Sequence, residues 1–299
     1  MLPRPVIVPE MAKRLHSAVK QGSLPAVRQL MTDHCDPNLV DEEALPALIW
    51  AVRGRMPEIV NVLLVGGANP DLPDKDGDTA LIYAVREGLT QIMNILLDKG
   101  AEPDLQNRIG NTPLIWAARK NLIPAAEALL SRKCGPNVRN NDSDTALIWA
   151  ARDGFNAMVK LLIDKGADVN ATNKSGNSAL VLAACDGHVE SCRLLLENGA
   201  NASAQNKYGN TPLIWAARGG HAEIARLLLE KGAAIDAQNE FGNTALIMTA
   251  RWGHTAIAKM LLDRGANVAL KDRENATARD RAIEEGKIGA GVLALLDAK

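Results

Sequence analysis

The chain has 299 residues; 47% are hydrophobic, enough for a sizeable core, but only 3% are aromatic, so that core consists of small and branched aliphatic side chains. Thirty-four basic against thirty-five acidic residues leave a net charge of −1, which excludes a general electrostatic footprint for nucleic acid or an anionic membrane. No apolar run approaches the roughly 18 residues of a membrane span, and residues 1–11 hold three prolines without an apolar signal core, so a cytoplasmic protein is expected.

After an N-terminal extension at 1–7, the chain divides into 33-residue units starting at 8, 41, 74, 107, 140, 173, 206, 239 and 272. In the first, the run RLHSAVKQ begins at Arg14 and carries Ser17 in a slot that is apolar elsewhere, with Lys20 three residues on. Then follow ALIWAVRG from Ala47, ALIYAVRE from Ala80, PLIWAARK from Pro113, ALIWAARD from Ala146, ALVLAACD from Ala179, PLIWAARG from Pro212 and ALIMTARW from Ala245, each thirty-three residues after the last. The series closes with ARDRAIEE from Ala278, where Arg279 and Arg281 replace a leucine and an aromatic residue. Polar end faces of this kind stop a stack from extending.

Each run predicts a short helix. Thr79, Thr112, Thr145, Ser178, Thr211 and Thr244 stand where a hydroxyl can accept from the first-turn amides, and Pro113 and Pro212 sit where no backbone donor is needed. Gly22, Gly88, Gly154, Gly187, Gly220 and Gly253, with Asn121 at the equivalent place, can take the left-handed conformation that ends a helix. Leucine pairs such as Leu63-Leu64, Leu96-Leu97 and Leu228-Leu229 mark a second helix, which can bury its apolar face only against neighbouring units. Alanine pairs such as Ala117-Ala118 and Ala216-Ala217 let the helices approach closely. Between the fourth and fifth units, Lys133-Cys134-Gly135 replaces Gly-Ala and Ser143 replaces the glycine seen at 77, 110, 176, 209 and 242. An altered finger or a small change of angle is expected there.

Units such as NKYGNTPLIWAARGGHAEIARLLLEKGAAIDAQ resemble the ankyrin repeat, and the resemblance covers residues 8 to 299. It implies an all-α solenoid in which each unit is a β-turn finger followed by two antiparallel helices, with the first and last units as caps, and it implies a concave face that binds a protein or peptide. A monomer is expected.

No nucleophile elbow, phosphate loop, zinc spacing or dinucleotide fingerprint occurs, so neither catalysis nor a metal or cofactor is expected. His188, His221 and His254 recur with the repeat and suit bonds to a neighbouring loop better than acid/base work. Cys35, Cys134, Cys185 and Cys192 lack both metal and disulfide spacing and are read as reduced.

Two columns stand out. Three residues into each run lie Trp50, Tyr83, Trp116, Trp149, Leu182, Trp215 and Met248; three further on lie Arg53, Arg86, Arg119, Arg152, Cys185, Arg218 and Arg251. Spacing of three puts both on one side of each helix, with ring expected over ring and arginine over arginine. Two readings remain open from the sequence. The rings can be inter-repeat packing and the arginines partners of Glu87, Asp153, Asp78 or Asp144, or the columns can line a groove, since Trp and Arg are enriched among binding hot spots. The groove reading expects an extended acidic segment. Similarity of the LIWA runs to those of ankyrin-bearing palmitoyltransferases, regulatory-factor-X ankyrin proteins and kinase-D-substrate scaffolds implies short, proline-containing peptides. Leu182 and Cys185 interrupt both columns, leaving a half from Trp50 to Arg152 and a patch around Trp215, Arg218 and Trp252. Tyr208 and Phe241 at finger tips lack a core explanation and support an alternative, an inhibitor or secreted effector that masks a folded partner through its fingers.

Overall fold

The computed structural model describes residues 10–298, so the extension at 1–7 lies outside the described residues. Within them the chain is all-helical and divides between Asp142 and Ser143 into two compact bodies. The first body holds α1 (Glu10–Lys20), α2 (Leu24–Thr32), α3 (Ala47–Arg53), α4 (Pro57–Val65), α5 (Ala80–Arg86), α6 (Thr90–Asp98), α7 (Pro113–Arg119) and α8 (Ile123–Ser131). The second holds α9 (Ala146–Arg152), α10 (Asn156–Asp164), α11 (Ala179–Asp186), α12 (Val189–Glu197), α13 (Pro212–Gly219), α14 (Ala222–Glu230), α15 (Ala245–Trp252), α16 (Thr255–Asp263), α17 (Ala278–Glu284) and α18 (Ala290–Asp297). In each body the odd-numbered helices pack side by side in one layer and the even-numbered helices in a second.

The helix starts follow from local chemistry. The hydroxyl of Thr79 accepts from Ile82 N at 3.3 Å, and Thr112, Thr145, Ser178, Thr211 and Thr244 cap α7, α9, α11, α13 and α15 in the same way. Such a cap contributes about 0.5–2 kcal/mol. Pro46, held extended at ψ 145°, fills this place before α3 without a side-chain bond. Where the first helix of a pair ends, the chain turns through a left-handed residue. This is a glycine in most repeats, but Arg55 (φ 58°) and Asn121 (φ 54°) also adopt the conformation.

Between the layers the core is small and tight. Ala84, Ala117, Ala118, Ala216 and Ala217 are fully buried, as are Leu63, Leu96, Leu129, Leu195, Leu228 and Leu261 from the second helices. A void or an extra methylene here would be felt at once, because such interiors are packed as densely as organic crystals.

The fingers fold around one side chain. Oδ1 of Asp41 accepts from the amides of Glu43 and Leu45, and Asp74, Asn107, Asn173, Asn206, Asn239 and Asp272 repeat the pattern. Adjacent fingers are tied by backbone bonds such as Arg108 N to Asp76 O and Glu240 N to Tyr208 O. A glycine is needed where fingers come this close: a Cβ on Gly110 would collide with the backbone amide of Asn141. Ser143 occupies the glycine's place with the same left-handed backbone (φ 62°), as does Ala44 (φ 59°). The polar end face expected at the last repeat takes a different form. Arg281 is only 7% exposed, inside a cluster with Asp272, Glu274 and Glu284.

Candidate protein-binding site

The ladder rings project from the middle of the first helix of each pair, and the arginines from its last turn. Trp50, Tyr83, Trp116, Trp149 and Trp215 are half-buried; each lies partly within the layer while part of its face remains open. Arg53, Arg152 and Arg218 are exposed, whereas Arg86, Arg119 and Arg251 are half-buried.

Rings and arginines do not form two separate columns as expected; they interleave. In the first body, Lys20 lies 4.1 Å from the centre of the Trp50 ring. Arg53 lies 5.1 Å from Trp50 and 5.9 Å from Tyr83, Arg86 lies 4.5 Å from Tyr83 and 5.5 Å from Trp116, and Arg119 lies 4.7 Å from Trp116. Arg53 and Arg86 thus each lie between their own ring and the ring of the next repeat. In the second body Arg152 covers Trp149 at 5.2 Å, and Arg218 lies 5.1 Å from Trp215 and 5.9 Å from Trp252. A guanidinium over an aromatic face gains about 0.5–2 kcal/mol and keeps its N–H edges pointing outward.

The acidic partners differ along the series. Arg86 binds Oδ2 of Asp78 at 2.7 Å, and although burial disfavours its charge, Asp78 outweighs burial and raises its pKa. Arg251 reaches Asp272 at 3.2 Å. Arg53, Arg152 and Arg218 have no carboxylate partner among the described residues.

The ring heads follow a rule nine residues long. Trp50 Nε1–H donates to Oδ2 of Asp41 at 2.8 Å and the Tyr83 hydroxyl to Oδ2 of Asp74 at 2.8 Å. Burial pushes the Asp41 carboxyl up, but the Leu45 amide, Lys20, the Trp50 N–H and the Glu43 amide outweigh it and hold it below its usual range. Where the finger residue is asparagine, its oxygen serves the finger amides and its NH2 serves the preceding finger, as when Asn206 donates to Asn177 at 2.8 Å. Nothing is left for the indole. The buried N–H groups of Trp116 and Trp215 accordingly have no acceptor.

The histidines are architectural. Nε2 of His188, His221 and His254 faces the carbonyls of Arg152, Cys185 and Arg218 at 2.9, 3.3 and 3.2 Å. All four cysteines are free thiols. Burial and then Asp186 push Cys185, the one in the ladder register, up to about 11, and burial takes Cys192 to about 12. Neither is a thiolate at neutral pH. Among the described residues no cluster of His, Cys, Asp or Glu could hold a metal ion, and no helix is long and apolar enough to cross a membrane.

Against known families, the model of ankyrin repeats in three copies matches residues 15–107, 99–173 and 167–239, and that of ankyrin repeats in many copies matches 220–262. The chain belongs to the ankyrin-repeat family. Ankyrin repeats are in general protein–protein interaction modules, and the family is typically a non-enzymatic binding scaffold. No curated protein matches this chain at significance.

At the finger tips, Tyr208 and Phe241 are 52% and 57% exposed. Ile109 occupies the same register in the first body and is 54% exposed, a third apolar tip whose aliphatic side chain carries no aromatic signal in the sequence. Trp252 follows the ladder arginine of its repeat directly and is 52% exposed.

Proposed function

We propose that this ankyrin-repeat protein is a scaffold that takes extended acidic segments of a partner protein against the ring–guanidinium surface of each body. The observation that carries the reading is the state of Arg53, Arg152 and Arg218: each is exposed, stacked on a ring and without a carboxylate of its own. The ring holds the face of the guanidinium, and the free N–H fork suits a carboxylate bidentately. Arg86, already committed to Asp78, serves the surface mainly by packing.

An array of peptides tiled from the proteins of the host tests this. Bound peptides should be enriched in Asp and Glu, and binding should weaken as salt is raised. Combining Arg53→Ala, Arg152→Ala and Arg218→Ala should abolish binding while leaving the melting temperature unchanged. Retained binding by that triple variant would refute the reading.

A second reading draws on the fingers. Exposed Ile109, Tyr208 and Phe241 offer apolar contacts of the sort a flat, folded partner buries. If the chain captures only folded proteins and loses them on Tyr208→Ser with Phe241→Ser, the fingers are the recognition surface and the protein acts by masking its partner.

A further inference from the structure

We infer that the last three repeats form a subsite for one apolar side chain of the bound segment, with an acidic residue beside it held by Arg218. The inference rests on the groove reading and gives it a specific sequence preference.

Position 252 breaks the repeat. The residue directly after the ladder position is Gly54, Glu87, Lys120, Asp153, Asp186 or Gly219 in the other repeats from Ala47 to Pro212, small or polar in every case, yet here it is a tryptophan. Trp252 closes α15 and is half exposed, so the core does not account for it. Its ring lies 5.9 Å from the Arg218 guanidinium, which the Trp215 ring flanks at 5.1 Å.

The following turn departs from the pattern as well. In the three preceding repeats an imidazole fills the space against the turn glycine: His188 against Gly154, His221 against Gly187, His254 against Gly220. Counting on by thirty-four from Gly253 reaches Lys287 instead of a histidine, and it is Ile288 that lies against the glycine, where a Cβ would collide with its carbonyl oxygen. Ile288 is 59% exposed. With the imidazole replaced by an aliphatic side chain, an open hollow of about 390 Å³ is lined by Arg218, Met248, Arg251, Trp252, Glu285 and Ile288. Small-ligand pockets run from roughly 300 to 1,000 Å³, so this one suits a single side chain and its flanking backbone.

Charge selects the neighbour of that side chain. Arg251 is occupied by Asp272, whereas Arg218 lines the hollow and has no carboxylate among the described residues. Glu285 lines the hollow too and repels an acid on its own side. The preferred occupant is therefore an aliphatic or aromatic residue flanked by Asp or Glu in an extended chain, with the acid at Arg218.

Random peptides displayed on phage and selected on the full chain provide the test. Enriched sequences should pair an apolar residue with a neighbouring acid, and a synthetic representative should bind Trp252→Ala and Arg218→Ala about 30-fold more weakly, the loss typical of a hot-spot residue. Ile288→Arg should block the hollow to the same degree. The unfolding midpoint of Trp252→Ala should stay at the wild-type value, because the ring is exposed. Peptides that bind Trp252→Ala as tightly as wild type but lose affinity for Arg53→Ala would overturn the subsite and leave the groove reading intact. A selection that yields no binder would overturn both. A dimer that dissociates on Trp252→Ala, seen by sedimentation, would assign the patch to a second copy of the chain and overturn the peptide subsite.

Discussion

The indole N–H of Trp50 donates to Oδ2 of Asp41, nine residues earlier, while the indole of Trp215 finds only Asn206 at that distance and has no acceptor. Asn206→Asp should supply the missing acceptor, since Asn177 can turn its amide and donate to the new carboxylate. Urea denaturation at neutral pH should show a gain of about 0.5–1.5 kcal/mol. Asn107→Asp, the same change before Trp116, should instead cost about 1–3 kcal/mol, because Asn107 donates to Asp78 and a carboxylate there would face another. Equal effects at the two sites would refute this account.

The ladder mixes packing and exposure in measurable proportions. Trp116 lies between Arg86 and Arg119 and is half-buried, so Trp116→Ala should cost about 2 kcal/mol, below the roughly 3–5 kcal/mol of a fully buried tryptophan. Arg53→Ala, exposed and without an acidic partner, should stay within about 0.5 kcal/mol of wild type. Thermal melts of the two single variants give both values.

Acid should weaken the last repeat through Asp272. Burial pushes the Asp272 carboxyl up, but bonds from Arg281, the Ala276 amide and Arg251 outweigh burial and hold it below its usual range. A depressed folded value means that the contribution is complete above the unfolded value of about 3.9 and is lost as pH falls through the lower folded value. Asp272→Asn should cost about 2–3 kcal/mol at neutral pH, less than the roughly 3–5 kcal/mol of an uncompensated buried charge, because Glu274 and Glu284 still face Arg281. As pH falls below about 4, the unfolded value, the variant should lose less stability than wild type. A parallel pair of acid-unfolding curves would disprove the assignment.

Removing residues 173–205 should leave a folded, shorter chain, since the deletion brings Asn206 opposite Asp144, where Asn173 stands. Circular dichroism should show helical content per residue unchanged; a collapse of the helical signal would contradict neighbour-to-neighbour stabilisation.

The helix starts from Ala80 to Ala278 were legible because a hydroxyl cap before and a left-handed turn after are encoded within each repeat. Less legible were Ala44, Arg55 and Lys133, which adopt positive φ without being glycine, their amides closing local turns onto the carbonyls of Asp41, Val52 and Leu130. The interleaving of arginines between rings escaped the column picture: spacing fixes which helix face a side chain leaves from, and its lean toward the next layer depends on side-chain direction. Its charge assigns Arg281 to a solvent-facing cap, and only the convergence of Asp272, Glu274 and Glu284 reveals why it can be buried. The signal behind the ring-head rule was present all along, as Asp or Asn at the first residue of each unit from 41 to 272.

The hydrogen bonds that fasten one repeat to the next span short stretches of chain, from twenty-one residues between Lys20 and Asp41 to thirty-six between His188 and Arg152. During synthesis, a layer can therefore close as soon as roughly one further repeat has left the ribosome, at the usual pace of about 5–20 residues per second. Such local closure keeps loop-entropy barriers low and limits how long any apolar helix face waits unpaired in the growing chain.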